Sequence, residues 1–378
     1  MKASHPRIAA VFLVVVAVAA IVVAAAFAKG PIKKQGPKAN GHALDHVFLI
    51  MLENHSQSSV IGDANAPFIT SLARTYATAA NYYGVTHPSQ PNYIATISGS
   101  NWGVNDDQPT NTYDHLNIAD QLEQHHLTWA AYMDSMPSVG FTGQQYPSDN
   151  ALYVNKHNPF VLMDDIRSST ARLANIKPYA QFAADMKAKK LPNFVWISPN
   201  QCHDMHGGVY SKVAADGSDG TPCPYGSTKD DANDAALKQK ADDFVKGAVT
   251  TIMSTTAWKT GRSAIFILTD ENDFTGDKTT DGWESAAGCC DSPNLGKGTP
   301  FLGSNGAPDG NVWQGGIYGG GKIPAIVMTA KGKRGYTSEK PYNHYSLLST
   351  LEWNWNLPTI GNASDTVQVH PMTEFFTK

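Results

Sequence analysis

Three short apolar runs in this chain end on acidic residues. HVFLIML is followed by Glu53, Asn54 and His55; AIFILT by Asp270, Glu271, Asn272 and Asp273; and FVWIS by a segment holding His203, Asp204 and His206. Hard oxygen ligands and imidazoles brought in from separate strands are what a divalent cation needs. The same acids, taken one at a time, would cap the helices that follow them. Three such ends in one chain put a metal site on an equal footing with capping and solvated loops. A fourth element, Thr86–Tyr93 (THPSQPNY), sets Ser89 just before the apolar run Tyr93–Ile97, which could open a helix. A serine there sits in positive potential, which favours its alkoxide and an incoming phosphate. Alone, it would be read as an N-cap. His87, two residues earlier, is a candidate for protonating a leaving group or holding phosphate, and equally a hydrogen-bonded structural histidine.

These residues need a scaffold that gathers strand ends. His46–Leu52, Thr128–Met133, Phe194–Ile197, Ala264–Thr269 and Pro324–Thr329 are short apolar runs of strand type. Between them, Ala66–Ala80, Asp234–Trp258 and His344–Trp355 carry apolar residues at helical spacing. Strands alternating with helices predict an α/β fold, with a mainly parallel central sheet sandwiched by helices. Ligands in such folds bind beyond the carboxyl ends of the strands, where the acids lie. Gly207–Asn233 and Thr275–Gly321 are rich in Gly, Asp, Ser and Pro and read as long loops.

A length of 378 residues allows one large domain or two small ones, and a hydrophobic fraction of 42% excludes a disordered chain. The net charge of −4, without a dense basic run in the body of the chain, argues against nucleic acid as partner. Lys2 and Arg7 precede an uncharged stretch, Ile8–Ala28, that ends in Ala26-Phe27-Ala28. Residues 1–28 thus predict a signal peptide or an N-terminal membrane anchor, and either places the rest in a secreted or cell-envelope, extracytoplasmic setting. Residues 29–40 read as a linker, and 41–378 as the catalytic domain. Export makes disulfides plausible for the four cysteines, which allow three pairings. Cys202 and Cys223 are the expected participants. For Cys289 and Cys290, partners elsewhere look easier than a bridge between neighbours.

LENHSQ, THPSQPNY, NFVWISPNQCHDMHGG, FILTDEND and NHYSLLSTLEWNWNLP together resemble the motifs of the bacterial phosphoesterase family. That family includes secreted acid phosphatases and bacterial phospholipases C, within the alkaline-phosphatase-like superfamily. The likeness runs from about His46 to Pro358 and is strongest to the short acid phosphatases. It implies an alkaline-phosphatase-like fold, Ser89 as nucleophile and Asn92 steadying the phosphoryl oxygens. It also implies a divalent metal ion, of unspecified identity, held by Glu53, Asn54, Asp270, Glu271 and Asp204. His206 and His344 match further catalytic positions, and Lys156-His157-Asn158-Pro159-Phe160 matches another family segment, although a solvated lysine is the default there.

The expected activity is hydrolysis of phosphate monoesters through a phosphoserine. Lipid or phosphoinositide esters lie within the substrate class. Two alternatives remain: a phospholipase C-type phosphodiesterase, and a secreted calcium-binding protein without catalysis.

Overall fold

The computed structural model describes residues 43–148, 151–187, 191–209, 222–226, 231–273, 286–302, 307–313 and 315–376. The predicted signal or anchor segment and the linker lie outside them. No helix among the described residues is long and apolar enough to cross a membrane.

Eight strands form one sheet: β1 (His46–Leu52), β2 (Ala77–Tyr83), β3 (Trp129–Met133), β4 (Ile176–Pro178), β5 (Phe194–Ser198), β6 (Ser263–Thr269), β7 (Ala325–Thr329) and β8 (Tyr336–Asn343). Their order across the sheet is β8-β2-β7-β6-β1-β5-β3-β4. β1 pairs in parallel with β5 and β6, β3 with β4 and β5, and β8 with β2. Only β7 runs antiparallel, to both of its neighbours. This is the mainly parallel α/β sheet expected. β5 and β6 are buried throughout and β1 is buried beyond His46, as strands covered on both faces must be.

Alternation along the central strands divides the core in two. Val47, Leu49, Met51, Trp196 and Phe266 face one layer, whereas Phe48, Ile50, Leu52, Val195 and Ile265 face the other. Helices α1 (Ser89–Ser98) and α2 (His344–Trp355) place Ile94, Ile97, Leu347, Leu348 and Leu351 in the first layer. Helix α3 (Ala232–Ser254) places Ala241, Val245, Val249 and Ile252 in the second.

Several expectations need correction. The helical pattern Ala66–Ala80 ends at Thr75, and Ala77–Tyr83 is a strand. Its AT-AA-N-YY composition gives little strand signal, and pairing with β7 and β8 decides the matter. The Asp234–Trp258 pattern is two helices, broken after Ser254 and restarted at Thr256 under a Thr255 cap. The long Thr275–Gly321 segment contains two small antiparallel ladders, Pro300–Leu302 with Pro308–Val312 and Asn294–Leu295 with Gly316–Ile317.

Cys202 bonds Cys223, as expected. Cys289 bonds its neighbour Cys290, contrary to the expected distant partners. With four cysteines in the chain and two of them joined across the Val209–Cys223 bridge, no distant partner is left.

Candidate active site

Because β1, β2, β3, β5, β6 and β8 all point the same way, their carboxyl ends open on one edge of the sheet. The register pairs Leu52 with Thr269, so Glu53 and Asp270 emerge side by side. Backbone bonds fix the junction: the Glu53 N–H donates to the Asp204 carbonyl (2.7 Å), and the Asn54 N–H donates to Asp270 Oδ1 (2.9 Å). Asn54 adopts φ +51°, which turns the chain away after Glu53.

Ser89 is the first residue of α1, and Pro88 occupies the cap position, so Ser89 is not the N-cap. Its hydroxyl is buried and donates to Glu53 Oε2 at 3.0 Å. Gln90, next in the chain, has its N–H held by Asp107 Oδ1 (2.8 Å). The other oxygen of Asp107 binds Lys156 Nζ at 2.9 Å, and Lys156 Nζ lies 3.4 Å from His206 Nε2. His87 Nδ1 is 2.8 Å from Glu271 Oε2.

Glu53, Asp204, Asp270 and Glu271 are all buried. Desolvation, followed by the charge of Asp270, raises Glu53 well above the carboxylate range. Burial raises Asp204 in the same way, and burial with the neighbouring Glu271 brings Asp270 up to about 8. Burial and Asp107 raise Glu271. Lys156 runs the other way: burial would lower it, but Asp107 and Glu53 outweigh that and keep it a firm cation.

The histidines are held neutral. Burial brings His87 to about 4, His206 to about 3 (with Lys156 adding to it) and His344 to about 4. The firm cation beside the acids is therefore Lys156 rather than one of these three histidines.

Three predicted residues sit differently from expectation. The Asn54 side chain turns out toward Tyr225 Oη (3.1 Å), away from the acids. His344 lies beneath the site, its Nε2 against the Asp270 carbonyl at 2.5 Å and its Nδ1 against Tyr82 Oη at 3.3 Å. Asn92 spends its amide on the loop that carries Ser89. Its Oδ1 accepts from the Val85 and Thr86 N–H groups, and its Nδ2 donates to the Thr86 carbonyl. Nδ2 also reaches Glu271 Oε2, at 3.3 Å.

Two residues went unassigned in the sequence. His157 lies between two of the acids, Nε2 3.1 Å from Glu53 Oε1 and Nδ1 3.3 Å from Asp204 Oδ2, with its ring stacked on Tyr93. Asp107 ties the Ser89 helix to Lys156. The KHNPF segment was the available signal for His157. For Asp107, in a polar loop, there was none.

Among the described residues, no group of three or more His, Cys, Asp or Glu side chains is drawn into a cluster able to hold a metal ion. The donor chemistry nevertheless fits a hard divalent cation. Glu53 Oε1, Asp204 Oδ2 and Asp270 Oδ2 are buried and accept no hydrogen bond of proper geometry, and the carboxylates raise one another's pKa.

Comparison with known proteins finds relatives among the acid phosphatases. An acid phosphatase of Aspergillus fumigatus is 34% identical over 188 residues, 47% of this chain and 41% of that one. A phosphate-repressible acid phosphatase of Penicillium chrysogenum is 27% identical over 326 residues, 85% of this chain and 61% of that one. The chain thus spans about two-fifths to three-fifths of the length of these relatives. A phosphonate monoester hydrolase from Silicibacter pomeroyi covers 88% of this chain and 76% of its own, with a TM-score of 0.50 at 13% identity, a likeness of fold alone. The model of one sequence family matches residues 63–219 and 224–358, well over half of the chain: this chain belongs to the Phosphoesterase family.

Proposed function

We propose that residues 41–378 form an exported phosphatase domain that hydrolyses phosphate monoesters through a phosphoserine at Ser89. The observation that carries this is the Ser89 hydroxyl, buried at the start of α1 and donating to Glu53 Oε2 at 3.0 Å. In the first step Ser89 Oγ forms a bond to phosphorus and the ester P–O bond breaks, releasing the alcohol. In the second, water attacks the phosphoserine, and inorganic phosphate leaves.

The chain's own groups divide the work. Lys156, fixed by Asp107, holds phosphoryl oxygens as a permanent cation. Asn92 sets the Val85–Pro88 loop, and so the position of Ser89, which makes it a positioning residue. His344 supports the Asp270 backbone from below. Glu53, Asp204, Asp270 and Glu271 would hold a divalent ion, which when bound lowers the serine hydroxyl pKa and offsets phosphoryl charge. The two disulfides accord with an oxidising compartment.

The test is Ser89→Ala with p-nitrophenyl phosphate. Turnover should fall by about 10³-fold or more while near-UV circular dichroism is unchanged. Acid-quenched wild-type enzyme should carry phosphate on the Ser89 peptide. Wild-type turnover by the variant would sink the proposal.

A further inference from the structure

Beside the acidic centre, Pro293, Leu295, Pro300, Trp313 and Tyr318 line, with the loop after α1, a cavity of about 400 Å³. Thr86 and His87, just before Ser89 in the chain, belong to its wall, and His87 Nδ1 lies 2.8 Å from Glu271 Oε2, so it adjoins the reacting centre. One side is apolar, with Leu295, Trp313 and Tyr318, the last two in edge-to-face contact at 5.1 Å. Tyr318 also lies 6.0 Å from the His87 ring, between centroids. The other side carries the carboxamides of Asn101 and Asn105. Much of its lining comes from the segment that the sequence reads as a long loop.

We propose that this cavity is the leaving-group subsite, and that it selects phosphate esters of an uncharged ring. The inference rests on the phosphatase function proposed above and extends it to substrate class. The size suits a small cyclic ligand, since pockets for such molecules begin at about 300 Å³. No charged side chain is among the described residues lining it, so neither a quaternary ammonium nor a second phosphate finds a counter-charge there. Asn101 Nδ2 donates to Asn105 Oδ1 at 3.1 Å and to the Val104 carbonyl at 3.0 Å, and an acyl chain would desolvate this polar pair without adding a hydrogen bond, which costs binding. A ring with an apolar face and polar edge groups satisfies both walls: the face packs on Trp313 and Tyr318, and the edge meets Asn101 and Asn105.

The test compares kcat/KM for β-naphthyl phosphate and glycerol 3-phosphate in the wild type and three variants. Trp313→Ala should lower the naphthyl value about 5–10-fold, mainly through KM, and leave glycerol 3-phosphate within about twofold. Trp313→Phe should restore most of the loss. Asn105→Trp narrows the cavity from an exposed position, away from the buried aromatic pair, and should discriminate against the naphthyl ester in the same sense. Equal losses on both substrates, or no selective loss in either Trp313→Ala or Asn105→Trp, would overturn the subsite while leaving the phosphatase function standing. A wild-type protein that turns over neither ester would overturn both.

Discussion

Two buried charge clusters lie beyond the end of β1, one around His55 and one around Glu53, and they are built on opposite rules. In the first, His55 Nε2 meets Asp234 Oδ1 at 2.6 Å, and Lys238 Nζ meets Asp234 Oδ2 at 2.7 Å and Asp63 Oδ2 at 3.1 Å. Burial would lower the His55 pKa, but Asp273 and Asp234 outweigh it, so two cations face acids that match them. Lys238 is wholly buried, yet every charge has a counterpart. In the second, Glu53, Asp204, Asp270 and Glu271 crowd together, and their nearest cation, Lys156, is already bound to Asp107. A balanced network costs little beyond its desolvation and fixes α3 against the sheet edge. An unbalanced one raises its own pKa values and is stable only because the surrounding fold enforces it. That imbalance is what the function proposed for Ser89 and its neighbouring acids would require.

Substitutions should separate the two clusters. The largest effect is expected at the unbalanced one: Asp270→Asn and Glu53→Gln should each lower kcat/KM on p-nitrophenyl phosphate by about 10²–10³-fold. Thermal stability of the chelator-treated protein should hold or rise, because a repelling charge has gone. A drop in that stability, with activity retained, would make these acids structural.

The balanced cluster should respond the other way. Lys238→Met removes the cation that Asp234 and Asp63 share, leaves Asp234 only His55, and should cost up to about 3–5 kcal/mol in urea unfolding. Residual folded enzyme should keep its KM. A stability change under about 1 kcal/mol would show that the network contributes nothing.

A smaller effect tests buried charge away from both clusters. Glu352 is enclosed and accepts from Gln121 Nε2 and the Ile360 N–H, and burial raises it well above the usual carboxylate range. The folded protein therefore binds more protons than the unfolded chain once pH exceeds the unfolded value near 4.5, so stability falls as pH rises from there. Glu352→Gln should remove that slope. The variant should gain of order 1 kcal/mol over wild type at pH 7 and little at pH 4, measured by urea midpoints. Parallel pH profiles in the two proteins would refute it.

Much of this was written along the chain. β1 was legible to the residue, and β3, β5, β6 and β7 to within a residue or two, because strands buried on both faces, the antiparallel β7 included, are continuous apolar runs. An acid that directly follows such a run must emerge at the carboxyl edge, so Glu53 and Asp270 were bound to converge once the sheet was parallel, whereas Asp204, several residues past Ser198, is brought in by the turn that bonds its carbonyl to the Glu53 N–H. Ser89 at a helix start was equally local. The strand Ala77–Tyr83 was not legible, because its small and polar residues acquire strand character only between β7 and β8.

Side-chain direction was a tertiary decision. Asn54 follows Glu53 directly, but a positive φ and the grip of Asp270 Oδ1 on its N–H send its amide outward to Tyr225. His344 heads a helix aimed at the site, yet its ring is taken by the Asp270 carbonyl and Tyr82. Lys156 read as a solvated lysine, and only Asp107, 49 positions away, draws it inward. Cys289 and Cys290 are joined because the fold brings Cys202 and Cys223 together. In each case the deciding partner is remote in sequence. The local chain sets where a backbone emerges, whereas the free energy of burying a polar group depends on which distant donor or charge meets it there.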